Sequence, residues 1–555
     1  MNLLSDRPAN PTFVYVTLIL CAVASVIASA WCIHIDDVIN NDGVEYIRAA
    51  EQFAARNWAG AFAVHQWPFF SFLMWVTSAA LGTSYETAGQ LLNTFFFTLS
   101  SLLFVGVVRA FGGTSQRLTA LAALVAVLHP AFNEYRAFII RDAGYLAFYL
   151  LALFFLAKSV QVWRWRYSVF VVSALLAASI FRIEGAVFLL SAPLLIMTAR
   201  GENGGSPWTR LVLTVMAAAV LALVLGWWLI APGGGAVANV AASAPLDVIG
   251  TAWHEITSSV SHKIAVLRTE FLGTYAAEYA WTLFVFAVLM ILLSATFSQL
   301  TIPWALLTLG GLAVGVRFPR KPLNRIWLTL IGMHLAILLV FAVIKLFLAT
   351  RYPLALAVTI LILIPFALER VAQAIRWHEL KTPARVLVVV LLLWGGGESV
   401  SGLDNATRAT AVKQAGLWVA TQTNAPGALV SNDRRLAYYA GRHGDLDSIE
   451  GNIGKDNEPV VIPGAGNTFH LGGAQHANGR LSSVRADAVP AHMRGSELEI
   501  RAALVAARDV AEGEELLLDY GLDLTRTTVR YALLNYGIVA SLDAASFRQQ
   551  SLPRD

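Results

Sequence analysis

Long uninterrupted apolar runs constrain this chain more than any other feature. Stretches of about 18 or more hydrophobic residues recur along roughly the first 400 positions, and each is long enough to cross a bilayer as a helix. The runs are continuous rather than alternating, which argues against a closed barrel. With 57% hydrophobic and only 14% charged residues among 555, the chain has too few charges for a soluble protein of this size. We therefore predict an all-α polytopic membrane protein with about ten to thirteen transmembrane helices.

Basic residues predict which loops face the cytoplasm. Arg109 and Arg117 flank one short loop, Lys158 begins a second, and the strongest basic cluster covers 317–325. The positive-inside rule assigns these loops to the cytoplasmic side. The alternate polar segments then face outward, namely residues 34–66, 129–144 and 232–278, the turn "LATRYPLAL" and the chain from about residue 399 onward. Between residues 279 and 325 there is room for two helices, although the orientation argument needs an odd number of crossings there.

The chain divides by composition near residue 399. Residues 1–398 form the predicted membrane domain, with an uncleaved first helix and with outer loops at 34–66 and 232–278. Residues 399–555 are rich in Asp, Glu, Arg, Gly and Asn and contain no spanning run. Within them, "GALVSNDRRLAYYAGR" reads as a strand, a turn and a helix. We predict a small extracytoplasmic α/β domain for this C-terminal part.

The first outer segment, "HIDDVINNDGVEYIRAAEQF", concentrates carboxylates beside the hydrocarbon edge. Asp42, followed three residues later by Glu45, is typical of an N-cap with a capping box at a helix start. This interpretation does not explain Asp36 and Asp37, which lie even closer to the membrane. The alternative is that one of these carboxylates takes part in acid–base chemistry.

Two further motifs place charges at span ends. In "IIRDAGY", Arg141 and Asp142 open a span, either as a helix start with a salt bridge between neighbours or as a second acid that meets the first loop in one pocket. In "FRIEGA", Arg182 and Glu184 separate two apolar halves. They form either a turn at the interface or a functional pair at membrane depth.

"LATRYPLAL" places Arg351 and Tyr352 at the outer end of a span. They are either a snorkelling anchor with an aromatic belt residue or part of a phosphate-binding site, because a guanidinium binds phosphate through paired hydrogen bonds. The scattered histidines have no zinc-site spacing, so we predict no metal site. A phosphate-binding glycine loop, a nucleophile elbow and a Cys/His arrangement are also missing from the sequence.

Taken in order, these motifs resemble a known family. "NNDGVEYIRAAEQF", "HQWPFFSFL", "LHPAFNEYRAFIIRDAGYLAFYLLAL", "FRIEG" and "TRYPLAL", followed by an extracytoplasmic tail, are similar to the integral-membrane glycosyltransferases of the C superfamily. That family includes the protein O-mannosyltransferases, the lipid A aminoarabinose transferase and the family 39 transferases. The resemblance covers about residues 10–440 and lies in the order of the motifs rather than in any single one.

The resemblance implies a function. The donor would be a sugar on a polyprenyl phosphate, and the acceptor would be an extracytoplasmic lipid, glycan or protein. The sugar would invert at its anomeric carbon. An outer-loop aspartate would act as general base, and the membrane would be the bacterial inner membrane, with the C-terminal domain in the periplasm. Some relatives use a divalent cation and others do not, and the carboxylates here permit either.

The resemblance also assigns residues to roles. The base falls on Asp42, with Asp36 or Asp37 as the fallback, and Asp142 matches the second acidic position. The residues implied near the donor phosphate are Arg351, Tyr352, Arg182 and Arg141. The implied acceptor or pocket residues are Glu45, Tyr46, His65, Trp67 and Glu184.

The tail departs from this family. Residues 503–521, "ALVAARDVAEGEELLLDYG", resemble the end of a SET methyltransferase domain, but that family's other elements are missing from the sequence, so a chance similarity or a decayed fusion is the preferred interpretation. The rival function is a transporter or flippase of a lipid-linked glycan. A transporter would usually have pseudo-symmetric halves with broken helices at matching positions, which this sequence lacks. A non-catalytic assembly protein is the third alternative.

Overall fold

The computed structural model describes residues 8–162, 164–198, 215, 257–376, 381–404, 410–421, 434–443, 480–481 and 498–499. The chain forms two units: one comprises residues 1–36 and 49–406, and the other comprises 37–48 and 407–555. The first predicted outer loop is thereby divided, because its residues 37–48 group with the C-terminal part of the chain.

The N-terminal region is a succession of helices. They are α1 (Pro11–Ile35), α2 (Asn41–Ala54), α3 (Trp58–Val64), α4 (Phe69–Leu81), α5 (Tyr85–Ala110) and α6 (Gln116–Leu128). Side-chain caps explain several starts. Asn10 Oδ1 accepts from Phe13 N at 2.7 Å before α1, and the hydroxyls of Ser84 and Ser115 cap α5 and α6.

The remaining helices of the first unit follow a 3₁₀ turn at Pro130–Phe132. They are α7 (Asp142–Gln161), α8 (Trp165–Phe181), α9 (Glu184–Thr198), α10 (Gly273–Ala276), α11 (Ala280–Leu300), α12 (Ile302–Ala313), α13 (Lys321–Lys345), α14 (Leu354–Leu361), α15 (Ile364–Arg376) and α16 (Thr382–Leu403). Residues 257–266 are also helical and continue into a π-turn at Leu267–Phe271, and a 3₁₀ turn at Ala277–Tyr279 precedes α11. The predicted outer loop 232–278 is described only from residue 257, and that part is largely helical.

Among the described residues, seven helical stretches are long and apolar enough to cross a membrane. They are Pro11–Ile35, Tyr85–Ala110, Asp142–Gln161, Gly273–Leu300, Lys321–Lys345, Leu354–Ala374 and Thr382–Leu403. Five shorter apolar helices accompany them in the described part of the chain. The prediction of an all-α polytopic membrane protein is confirmed. The interval 279–325 contains two helices, α11 and α12, which are separated by Thr301 at φ 53°.

Helix α7 is one of the two most buried spanning stretches that the structure describes. Its Tyr149 hydroxyl is 2.8 Å from Thr359 Oγ1 on α14, and Trp327 Nε1 on α13 donates to the Thr359 carbonyl at 2.7 Å. A glycine permits close helix contact, since a Cβ added at Gly144 on α7 would overlap the Phe181 ring at the end of α8. Polar bonds between buried helices and small residues at their contacts thus fix α7 at the centre of the packing.

The loops assigned to the cytoplasm meet at one end of the first unit. Phe111 and Phe318, which neighbour Arg109 and Arg317, stack edge to face with ring centroids 4.8 Å apart. Gln161 Nε2, at the end of α7, donates to the Ala110 carbonyl at 2.6 Å. Three basic loops that are distant in sequence therefore lie side by side, as the positive-inside argument requires.

The second unit contains residues 37–48 and, in the described part of the tail, four short elements. These are α17 (Thr410–Thr421), α18 (Arg434–Tyr439) and the antiparallel pair β1 (Arg480–Leu481) and β2 (Leu498–Glu499). The helix predicted in "RRLAYY" corresponds to α18. The strand predicted before it and the SET-like stretch 503–521 lie outside the described residues.

Candidate functional site

The site starts from an acid at the first position of α7. Asp142 is 4% exposed, and its carboxylate favours the positive end of the helix dipole. Arg182, in the turn between α8 and α9, donates through Nη1 to Asp142 Oδ1. The expected salt bridge between Arg141 and Asp142 is therefore wrong: the ion-pair partner is Arg182, 40 residues further on, and Arg141 occupies the N-cap position without a side-chain capping bond.

Arg182 bridges two carboxylates. Its Nε donates to Glu184 Oε2 at 3.1 Å, and its Nη2 donates to Glu184 Oε1. Burial alone would lower the pKa of Arg182, but the two carboxylates more than compensate and raise that pKa well above its ordinary value. The turn in "FRIEGA" is thus both a reversal between two apolar helices and a charged cluster, so its two sequence interpretations are compatible.

Arg351 and Tyr352 form the second wall of the site, in the turn before α14. The Arg182 guanidinium carbon lies 4.9 Å from the centre of the Tyr352 ring, and the Arg351 guanidinium carbon lies 5.9 Å from it. Phe341 on α13 packs edge to face against the same ring, with centroids 5.0 Å apart. Both arginines are therefore within cation–π distance of the Tyr352 ring.

These groups line one pocket with an empty volume of about 370 Å³, counted together with its opening. Its polar lining consists of Asp142, Tyr145, Arg182, Glu184, His334, Arg351 and Tyr352. Its apolar lining consists of Leu146, Ile337, Leu338, Leu354 and Ala355. A charged edge above an apolar wall suits a ligand that is itself part charged and part apolar.

The pocket unites three motifs that sequence analysis treated separately. It brings together Asp142, Arg182, Glu184, Arg351 and Tyr352, all of which were predicted site residues. Arg141 is not among the lining residues.

Two polar lining residues, Tyr145 and His334, were not predicted, and neither were the apolar ones. Both carried a signal: Tyr145 lies one turn after Asp142 on the same helix face, and His334 is an ionisable group in the middle of a spanning helix.

The carboxylates of the first predicted loop have different surroundings. Asp36 ends α1 and is 4% exposed, with its backbone N–H donating to the Cys32 carbonyl. In the second unit, Asp37 forms an ion pair with Lys413. The prediction that Asp42 is an N-cap is wrong, because α2 begins at Asn41 and Asp42 lies inside its first turn.

The predicted acceptor residues of that loop are also divided. In the second unit, Glu45 pairs with Arg434 and Tyr46 is buried. In the first unit, His65 Nδ1 accepts from the Trp67 backbone N–H at 3.0 Å, and Trp67 Nε1 donates to the Ser179 carbonyl at 2.9 Å. Neither His65 nor Trp67 lines the pocket, but Trp67 anchors the last turn of α8, which leads directly into Arg182.

Metal ligands are not clustered in the described part of the chain, where no three His, Cys, Asp or Glu side chains are placed to hold an ion together. What the fold and the pocket define is a polytopic helical membrane protein with a buried cluster of charges at the ends of its helices.

Comparison with known proteins yields structural likenesses alone. No protein-family model matches the chain, and no curated protein matches it. Two crystal structures of the Archaeoglobus fulgidus oligosaccharyltransferase are similar, one tethered with an acceptor peptide containing the NVT sequon and one in complex with Zn and sulfate. The first has 12% identity and a TM-score of 0.45, covering 75% of this chain and 58% of that one. The second has 14% identity and a TM-score of 0.37, with coverages of 73% and 55%.

This chain thus spans just over half the length of those transferases. Likenesses with these TM-scores do not by themselves define a shared fold or activity.

Proposed function

We propose that this chain is an integral-membrane glycosyltransferase that moves a sugar from a polyprenyl-phosphate donor to an extracytoplasmic acceptor. The observation that carries the proposal is the meeting of Arg182, Arg351 and Tyr352 with Asp142 in one pocket at the ends of apolar helices. A lipid-linked donor presents its phosphate at the membrane surface. Guanidinium groups at that level therefore suit its recognition.

The two arginines have different parts in this proposal. Arg182 is held by Asp142 and Glu184, so its position is fixed before any ligand arrives. Arg351 lies near the same Tyr352 ring, with its guanidinium carbon 5.9 Å from the ring centre. As the bond between sugar and phosphate breaks, negative charge grows on the leaving phosphate, and preorganised cations stabilise that charge most.

Asp142 is a poor general base because Arg182 holds its carboxylate. We assign the base to Asp42, in line with the family resemblance. The same resemblance gives Asp36 and Asp37 as the alternatives to it. Asp42 is half-buried and lies in the first turn of α2.

The proposed step balances without a cofactor. An acceptor hydroxyl oxygen attacks the anomeric carbon while its proton passes to the Asp42 carboxylate. The bond between the anomeric carbon and the phosphate oxygen breaks, and the polyprenyl phosphate leaves with the electron pair. Attack opposite to the leaving group inverts the configuration of that carbon.

The proposal also includes the surroundings of the reaction. The acceptor, whether lipid, glycan or protein, approaches from the outer face of a bacterial inner membrane, and the C-terminal unit lies on that same side. The apolar wall of the pocket is suited to the part of the donor that adjoins its lipid tail.

The test uses the full-length chain in lipid nanodiscs, with radiolabelled polyprenyl-phosphate hexoses and pentoses as donors. An envelope extract from a strain lacking the gene supplies the acceptor. The wild type should transfer label and release polyprenyl phosphate. Asp42→Asn should still bind donor but lose transfer, and Arg351→Gln should weaken donor binding. Glu398→Gln is the matched control and should behave as wild type, because it neutralises a half-buried carboxylate on α16 that does not line the pocket.

Other outcomes identify the rival functions. A flippase would carry the intact lipid-linked sugar across the bilayer of a proteoliposome without cleaving it. An assembly protein would support normal envelope glycans in cells that carry only Asp42→Asn. Mass spectrometry of envelope glycans from the deletion strain, with and without the wild-type gene, identifies the missing sugar and its acceptor.

A further inference from the structure

Two polar atoms in the pocket are not used by the step proposed above. The Tyr145 hydroxyl and His334 Nε2 are both buried, and each residue is 5% exposed. Neither atom has a hydrogen-bond partner among the described residues, and both residues line the pocket beside the charged cluster. Buried hydrogen-bonding groups are usually paired, so two such atoms at one pocket point to a ligand that pairs with them.

An aromatic frame fixes the positions of these two residues. The Tyr145 and Tyr149 rings stack with centroids 6.0 Å apart, and the Tyr149 and His334 rings meet edge to face at 5.1 Å. Phe188 also packs against the His334 ring, with ring centroids 4.6 Å apart. Since the Tyr149 hydroxyl is itself bonded to Thr359, the frame is anchored to α14 and does not depend on a ligand.

The chemistry of the two groups indicates what they bind. A phenol and an imidazole can each donate or accept a hydrogen bond, as can a hydroxyl group. A phosphate prefers charged donors, and the two arginines of the pocket supply these. Leu146 and Leu338 lie on the same lining and offer apolar contact to the C–H face of a sugar ring.

We infer that Tyr145 and His334 form a subsite for a hydroxyl of the transferred sugar. The inference rests on the proposed function and deepens it, because it makes the enzyme selective for a donor that carries a hydroxyl at one ring position. A site built to pair with a hydroxyl rejects an analogue that lacks it, since the protein groups are then left unpaired.

The experiment compares Tyr145→Phe and His334→Phe with wild type. The donors are the polyprenyl-phosphate sugar that the wild type uses best and its monodeoxy analogues, and the quantity is the ratio of their kcat/KM values. Wild type should disfavour at least one deoxy analogue by about tenfold or more, the effect of one lost hydrogen bond. Each variant should bring that ratio close to one while binding sugar-free polyprenyl phosphate as wild type does.

Tyr167→Phe is the matched control, because it removes a tyrosine hydroxyl from α8 at a residue that neither lines the pocket nor belongs to the aromatic frame. It should keep the wild-type ratio. A ratio unchanged in both Tyr145→Phe and His334→Phe would overturn the subsite and leave the proposed function standing. If the wild type uses no polyprenyl-phosphate sugar at all, the proposed function fails and the subsite fails with it.

Retained binding of polyprenyl phosphate shows that a variant is folded. The two substitutions lie on different helices, α7 and α13, so each tests the inference independently.

Discussion

Lys413 Nζ donates a hydrogen bond to Asp37 Oδ2 at 2.7 Å, joining two residues that lie 376 positions apart. Arg434 pairs with Glu45 in the same unit, and the Tyr439 hydroxyl accepts from the Ile39 backbone N–H at 2.8 Å. The acidic segment after the first helix is therefore held by α17 and α18 of the C-terminal part. The proposed base, Asp42, belongs to that segment.

The Asp37–Lys413 pair should contribute little to stability. Swapping the two charges between these positions should preserve that contribution. Because the Asp37 side chain is 56% exposed, we expect a coupling of about 0.2–1 kcal/mol. Lys413→Glu should lower the melting temperature slightly, and the exchange Asp37→Lys with Lys413→Glu should restore it. Thermal unfolding of the two single variants and the double variant measures the coupling. A double variant less stable than either single one would contradict the pairing.

Removing Arg182 should be more harmful than removing Asp142. Arg182→Gln leaves Asp142 and Glu184 buried without their shared cation, which costs about 3–5 kcal/mol. Asp142→Asn leaves Arg182 paired with Glu184 and should cost less. The two variants are heated in mild detergent, and the fraction of protein that stays monodisperse is measured at each temperature. This ranks their stabilities. Equal losses would show that Arg182 does not bridge both acids.

Gly144→Ala should displace Phe181 and, through it, the Arg182 turn. A Cβ at residue 144 would overlap the Phe181 ring, so we expect a loss of about 1–3 kcal/mol from overpacking. Gly332→Ala on α13 is the matched control, since a Cβ there has no neighbour within 4 Å. Because alanine is the better helix former, that control should be neutral or slightly stabilised. Similar melting temperatures for the two variants would contradict the close packing at Gly144.

His129 should make the protein less stable in acid. Burial lowers the pKa of His129 to about 3, although its bond to the Leu300 carbonyl opposes that shift. The unfolded chain takes up a proton near pH 6.5 and the folded chain does not. Stability should therefore fall as the pH drops from 6.5 towards 3, by at most about 4–5 kcal/mol.

His129→Asn tests this dependence. Asparagine can still cap the Ala131 N–H, which His129 Nδ1 now accepts at 3.1 Å, but it cannot titrate. The variant should be less stable at neutral pH because the bond to Leu300 is lost, and its stability should depend less on pH between 6.5 and 3. Melting curves across that range measure the slope. An unchanged slope would assign the acid sensitivity to other groups.

Much of the fold could be predicted because apolar length is a local property of sequence. Each spanning helix can be predicted from its own run of apolar residues. Basic residues such as Arg109 and Arg317 predict which loops lie on the same side of the membrane. Helix ends were harder to predict. Asp42 and Glu45 match a capping box by spacing, yet α2 begins one residue earlier and Glu45 is paired with Arg434.

The sequence alone therefore determined a helical membrane protein with charges at the ends of its spans, since bilayer thickness sets the length of each apolar run. Only the tertiary structure decided which charges are partners. Asp142 pairs with Arg182 rather than with Arg141, and Tyr145 and His334 line the same pocket, because helices distant in sequence pack side by side. The spacing of residues along a chain does not predict such contacts. The energy of a buried charge nevertheless depends on them almost entirely.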